Sequence, residues 1–225
     1  MTFPDDYINK VIHADCLEIM RGMPDGCVDL VLTDPPYGVD YAEWDKTIPP
    51  RNYFDEMSRI SGGEIVMFGA ASPRAIKSVL DEYGEPERII IWHTPFTLSM
   101  TGKNGAFYRW HPIYIWGTHK IPFPFDILSI PCDGHNAWNH PATKPIKLME
   151  KLVPFTDGLI LDPFCGSGTT LVAAKMLGRR YIGIDIEKKY CDIAEERLRN
   201  TTPPLPFVQE KQEQLRLDTG GETGV

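Results

Sequence analysis

The sequence predicts an α/β protein with a doubly wound, mostly parallel sheet and helices on both faces. Three observations predict it. Short apolar, β-branched runs alternate with segments of helical spacing, the pattern of consecutive βαβ units. One run, 158–161, leads into a glycine-rich turn, Gly166-Ser167-Gly168, and then a helix. Another, 28–33, is apolar enough to be buried on both faces and stops at Pro35-Pro36.

Taken in order, 7–13 reads as the first strand. A short helix over 17–23 follows, closed by Pro24-Asp25-Gly26. The strand over 28–33 cannot continue past two prolines, since neither donates to a ladder. Residues 53–61 read as a helix and 64–69 as a buried strand. The helix over 72–83 carries Pro73 near its start, where a missing N–H costs nothing. Strands over 88–93 and 112–116 are set among loops rich in Gly, Pro and aromatics. A helix over 143–153 precedes the strand at 158–161. The helix over 171–177 ends at Gly178, the strand over 180–184 ends at Asp185, and 187–200 is a charged helix. A single domain is expected over 1–200. The polar, glycine-rich residues 201–225 are expected to form a loosely attached tail.

Composition narrows the function classes. A chain of 225 residues with 42% hydrophobic content can bury a sizeable core. No apolar run is long enough to span a bilayer and no signal-peptide layout opens the chain, which leads to an expected cytoplasmic location. The five cysteines form no Cys-x-x-Cys pair and none lies at zinc-ligand spacing to a His, so no metal site is expected. The net charge of −8 is unevenly spread. From 88 to 151 there are seven Lys and Arg against three Asp and Glu, a local +4 that leaves −12 for the rest. An acidic body with a basic middle is compatible with one face that meets phosphates.

The segment 159–185 is strand, glycine-rich turn, helix, strand, acid. Such a unit sets the turn at the carboxyl end of its strand, where ligands bind. Asp185 lies about twenty residues beyond the turn, where an acid accepts hydrogen bonds from a ribose diol. The structural alternative for Asp185 is a helix cap. No Gly-x-x-x-x-Gly-Lys-Ser/Thr run is present, so a triphosphate loop is not expected. Dinucleotide binding remains the generic competitor.

Thr33-Asp34-Pro35-Pro36-Tyr37-Gly38, placed after a buried strand, resembles the catalytic motif of amino-methyltransferases acting on DNA. The run 162–170, Asp-Pro-Phe-Cys-Gly-Ser-Gly-Thr-Thr, is similar to their cofactor motif. The order, catalytic motif first and cofactor motif last, resembles the β class of that family. Three further segments are similar: Asp15-Cys16, His140-Pro141-Ala142-Thr143-Lys144-Pro145, and Asp185. The resemblance spans most of 7–198. It implies a Rossmann-like class I methyltransferase fold with circularly permuted motif order, and S-adenosylmethionine as cofactor. It implies catalytic roles for Asp34, Pro35, Pro36 and Tyr37. It assigns the cofactor to Asp15, Cys16, Asp34, Thr143, Lys144, Asp162, Phe164, Gly166, Ser167, Gly168, Thr169 and Asp185, with Thr143 and Lys144 at the methionine end.

The chemistry agrees with that resemblance. An exocyclic base amine is a poor nucleophile because its lone pair is delocalised into the ring. A carboxylate at Asp34 and the Pro35 carbonyl can each accept one amine N–H and aim the lone pair. Tyr37 can stack on the base. The base must leave a DNA duplex to reach such a site. Asp at the first position leans toward adenine N6. Cytosine N4 is the nearest rival, and an RNA or protein amide is a more distant one. Target recognition is expected within 94–138, where Lys103, Arg109, His119 and Lys120 are the candidate DNA contacts among aromatic residues. The bland reading of Trp110 and Trp116 is core packing. Double-stranded DNA is the expected partner, and a homodimer is left open.

Overall fold

The computed structural model describes residues 2–40, 43, 45–95, 99–100, 107–117, 126–132 and 143–203. Their elements follow one another as β1 (Lys10–His13), α1 (Cys16–Arg21), β2 (Leu30–Thr33), α2 (Arg51–Ser61), β3 (Ile65–Phe68), α3 (Pro73–Tyr83), β4 (Arg88–His93), β5 (Ser99–Met100), β6 (Phe107–Tyr108), β7 (Trp110–Trp116), β8 (Ile127–Ser129), α4 (Ile146–Leu152), β9 (Leu159–Asp162), α5 (Thr169–Met176), β10 (Arg180–Asp185) and α6 (Lys188–Arg199).

Eight strands make one sheet in the order β1-β10-β9-β2-β3-β7-β4-β8. The run from β1 to β3 is parallel throughout. β7 is antiparallel to both β3 and β4, and β8 closes the sheet parallel to β4. The doubly wound, mostly parallel α/β architecture expected from the sequence is therefore the observed one.

Strand alternation divides the core in two. Leu30, Leu32, Val66, Phe68 and Ile160 face one side, where they meet Leu148 and Leu152 of α4 and Leu171 and Val172 of α5. Val31, Ile65, Met67, Leu159 and Leu161 face the other, against Met20 of α1, Met57 and Ile60 of α2 and Val79 of α3. Successive residues of a strand point to opposite faces, so a strand apolar at every position is one covered on both. All four residues of β2, β3 and β9 are buried accordingly.

The helix ends follow local chemistry. Asp15 caps α1 by accepting the Leu17 N–H at 2.8 Å. Ser72 caps α3 through the Ala75 N–H at 3.2 Å, with Pro73 in the first turn. Helix ends shift by a few residues from the sequence reading, and three differences concern the sheet. β1 starts at Lys10 rather than 7, because Asn9 takes a φ of +59° and interrupts the extended backbone. β7 starts at Trp110, two residues before Pro112, and that proline sits inside the strand with its carbonyl accepting from Gly69 N at 3.0 Å. β8 falls where a loop was expected, being three residues at the sheet edge with Ile127 exposed.

Candidate functional site

The carboxyl ends of four neighbouring parallel strands, β1, β10, β9 and β2, each carry an aspartate. Asp185 and Asp162 are the last residues of β10 and β9. Asp15 and Asp34 stand just beyond β1 and β2. This is the edge where open α/β sheets bind ligands. The structure thus brings Asp15, Asp34, Asp162 and Asp185 into one row.

The turn after β9 is built tightly. Gly168 N donates to Cys165 O at 2.7 Å, and Cys165 N to Ile184 O at 2.9 Å. Gly168 has a φ of +78°, and a Cβ there would lie 2.7 Å from the Ala194 Cβ. Only glycine meets both conditions. Asp185 accepts Gly166 N through Oδ2 and Glu187 N through Oδ1, each at 2.8 Å. It therefore joins the turn to the approach of α6, whose N-cap residue is Glu187 and has no side-chain cap bond. Arg197 of α6, 4% exposed, reaches under the turn, where one guanidinium nitrogen donates to Ser167 O at 2.6 Å and to Ser167 Oγ and Thr169 Oγ1 at 3.1 Å. Ser167 and Thr169 are themselves buried. Beside the turn, Phe164 stacks against Tyr53 with centroids 6.1 Å apart.

Asp162 is buried and accepts from Thr33 Oγ1 at 2.9 Å and Phe164 N at 3.2 Å. The Thr33 bond fastens the end of β2 to the end of β9, which sets the proline-rich loop beside the glycine-rich one. Burial pushes the Asp162 carboxyl up to about 7. The Thr170 and Thr33 hydroxyls and the Phe164 N–H pull it back, and Asp34 adds an upward push. Burial also pushes the Cys16 thiol up to about 12, with Asp15 adding to it, and raises the Cys165 thiol. Neither is poised as a thiolate nucleophile.

The proline-rich loop is held from behind by Asp45. This residue, 1% exposed, accepts the backbone N–H groups of Tyr37 at 2.5 Å, Gly38 at 2.8 Å and Val39 at 3.3 Å. Within the loop, the Tyr37 hydroxyl donates to Asp34 Oδ1 and the Lys144 ammonium donates to Asp34 Oδ2. Lys144 lies 5.5 Å from the Tyr37 ring centroid and 5.4 Å from that of Phe68. The Tyr37 ring packs against the core cluster beneath. Next to this group, His111 of β7 stacks on Trp92 at 4.9 Å. Burial and the neighbouring Lys144 lower its imidazole to about 4, against smaller upward pulls from Asp34 and the Gly69 carbonyl, so it is neutral near pH 7.

Of the candidate DNA contacts, Arg109 is exposed at the entrance of β7. Lys103, His119 and Lys120 lie outside the described residues, as does nearly all of the 201–225 tail. Trp116 is core: it meets Phe54 edge-on at 5.0 Å. Thr143 stands directly before Lys144 at the approach to α4. The sequence reading did not single out Asp45 or Arg197, and it placed His111 only among the basic and aromatic residues of the expected recognition stretch, with no catalytic role. Asp45 lies eleven residues past Asp34 on the same connection, a signal that was available.

The residues fit a nucleoside-bearing sulfonium. A ligand with a ribose diol, an ammonium and a sulfonium finds hydrogen-bond acceptors in Asp15, Asp185 and Asp162 and a carboxylate in Asp34. Its carboxylate finds a cation in Lys144. Among the described residues, no group of three or more His, Cys, Asp or Glu could hold a metal ion.

Comparison with known proteins gives the same reading. Residues 75–196 match the DNA methylase family that joins N6 and N4 methyltransferases. The chain is 30% identical over 209 residues to the putative methylase YubD of Escherichia coli K12, covering 85% of this chain and 90% of that protein. It is 28% identical to the type II methyltransferase M.HinfI of Haemophilus influenzae, covering 88% and 70% of the two chains. The solved complex of M1.HpyAVI with SAM superposes with a TM-score of 0.59 at 25% identity, covering 84% of this chain and 98% of that one. The chain therefore belongs to the N6/N4 DNA methylase family as an S-adenosylmethionine-dependent DNA methyltransferase.

Proposed function

We propose that the protein methylates the exocyclic N6 amine of adenine in double-stranded DNA, on a base turned out of the helix into the loop 34–37. One observation carries this reading. Asp34 stands at the end of β2, fastened through Thr33 and Asp162 to the strand that opens the cofactor turn. A donor methyl and an acceptor amine can therefore meet there without a large movement. S-adenosylmethionine supplies an electrophilic methyl on sulfur. The Asp34 carboxylate and the Pro35 carbonyl each accept one N–H of the amine, which turns its lone pair toward that methyl and disperses the charge that grows on nitrogen. With the cofactor bound, the N–C bond would form as the S–C bond breaks, S-adenosylhomocysteine would leave as the neutral thioether, and the methylated nitrogen would release one proton to water. Much of the acceleration comes from orientation. Pro36 stiffens the loop. Tyr37 turns its ring from the core contact toward the base, where stacking holds it.

On this reading Asp185 receives the ribose, Asp15, Cys16 and Phe164 border the adenine of the cofactor, and Asp162, the turn 166–169, Thr143 and Lys144 surround the methionine portion. Arg109 meets phosphate, in company with Lys103, His119 and Lys120. Cytosine N4 is the second reading, because the matched family joins N6 and N4 enzymes. The test incubates the protein with methyl-labelled cofactor and DNA, digests to nucleosides and identifies the product by mass. N6-methyladenine is expected. N4-methylcytosine selects the second reading, and label on RNA or protein alone rejects both.

A further inference from the structure

Both oxygens of the Asp34 carboxylate are engaged by the protein itself, Oδ1 by the Tyr37 hydroxyl and Oδ2 by the Lys144 ammonium. The contact is sheltered: the side chains of Lys144 and Asp34 are 9% and 21% exposed. Two aromatic rings, Tyr37 and Phe68, flank the ammonium within 5.5 Å. A charge-assisted hydrogen bond with so little water around it is stronger than one from a neutral amine N–H. A base amine therefore does not displace Lys144 from Asp34 unaided. An anion that competes for the ammonium does.

The cofactor carries such an anion in its α-carboxylate. Lys144 lies directly before Pro145 and α4, and α4 packs on α5, the helix that springs from the glycine-rich turn. Thr170 Oγ1 of α5 approaches Met149 Sδ of α4 at 4.0 Å. His111 beside Lys144 is neutral near pH 7 and offers no substitute charge.

We propose that Lys144 is a movable counter-charge shared between Asp34 and the α-carboxylate of the cofactor, so that cofactor binding frees Asp34 for the amine. This rests on the reading of Asp34 as the amine acceptor. Two consequences follow from linkage. The cost of breaking the Lys144–Asp34 contact on binding holds the parent's apparent affinity for the cofactor below that of a chain in which Lys144 is already released. Cofactor and base favour each other's binding by the same factor.

The test is calorimetric and needs no DNA. Two ligands are compared: S-adenosylhomocysteine, which keeps the α-carboxylate, and 5′-deoxy-5′-methylthioadenosine, which lacks the whole amino-acid end. They are titrated into the full chain, Asp34→Asn, Lys144→Met and the double variant. Asp34→Asn releases Lys144, so S-adenosylhomocysteine binds about fivefold tighter or more, while methylthioadenosine is unchanged and reports an intact nucleoside site. Lys144→Met weakens S-adenosylhomocysteine only, and in that background Asp34→Asn no longer tightens it. An Asp34→Asn variant that binds S-adenosylhomocysteine no better than the parent overturns the proposal. So does tightening that persists without Lys144. Failure of the amine-acceptor reading has a separate signature, full methylation of DNA by Asp34→Asn with the binding cycle intact.

Discussion

Asp45 holds the backbone of Tyr37 from eight residues away, taking its N–H at 2.5 Å and those of Gly38 and Val39 at 2.8 and 3.3 Å. A buried carboxylate that collects three consecutive amides fixes the direction of the loop carrying the Asp34 side chain and the Pro35 carbonyl. Removing it leaves amides without an acceptor, at about 1–3 kcal/mol for each one left buried. Asp45→Ala should lower kcat about 100-fold, the scale of a misplacement near 1 Å. Cofactor affinity should change little, because the glycine-rich turn is braced separately. Asp45→Asn keeps one acceptor oxygen and should recover part of the loss. Steady-state kinetics beside calorimetry of cofactor binding check this, and wild-type turnover by Asp45→Ala would remove Asp45 from the site.

Tyr37 has two separable parts. Its hydroxyl donates to Asp34, and its ring packs on the core beside Lys144. If the ring is what the base stacks on, Tyr37→Phe should keep KM for DNA near wild type, while Tyr37→Ala should raise it about tenfold, for stacking of about 1–3 kcal/mol. Equal KM values for the two variants would count against stacking.

Two buried groups oppose each other in the response to pH. Burial raises Asp162 from its usual 3.8 to about 7. Its proton is held more tightly in the fold than in the unfolded chain, so it favours the fold below about pH 4, and that contribution fades as pH rises to about 7. The difference is up to about 4 kcal/mol. His111 is lowered from its usual 6.5 to about 4, mainly by burial. It favours the fold above pH 6.5 and loses that contribution as pH falls to about 4. The two slopes cancel in part across pH 4 to 6.5. Asp162→Asn removes the first and unmasks the second. Its melting temperature should fall more steeply than wild type on acidification through that window. Thermal melts at pH 4, 5, 6.5 and 8 decide it, and parallel curves would refute the opposition.

The elements that position the site were legible because they depend on neighbouring residues. β2 and β9 are continuous apolar runs, and both end in residues that cannot extend a strand or that open a turn. Asp34, Asp162 and Asp185 fall at strand ends for the same local reason. What stayed hidden depends on distance in sequence. Lys144 and Asp34 meet from positions 110 apart, and nothing near either residue records that pairing. His111 is lowered by burial and by Lys144 from another element, and it stacks on Trp92 of β4. β8 is too short and too exposed to leave a pattern.

Arg197 is a further example, and it yields a sharp prediction. Among the charged residues 187–200 it reads as one more solvated helix position, yet it is 4% exposed and donates to Ser167 O, Ser167 Oγ and Thr169 Oγ1. One guanidinium nitrogen makes all three contacts, and the rigid planar group holds it in place with less lost freedom than an ammonium on a flexible stem. Arg197→Met removes that donor and leaves the turn's oxygens unpaired, a cost of about 1.5–3 kcal/mol in stability. On the proposed reading those oxygens belong to the turn that meets the cofactor, so affinity for S-adenosylhomocysteine should fall about tenfold, which is about 1.4 kcal/mol of the same interaction expressed in binding. Arg197→Lys should lie between the two. Calorimetry well below the melting temperature separates weakened binding from unfolding. If Arg197→Met is destabilised but binds with wild-type affinity, Arg197 supports only the packing of α6 and not the shape of the turn.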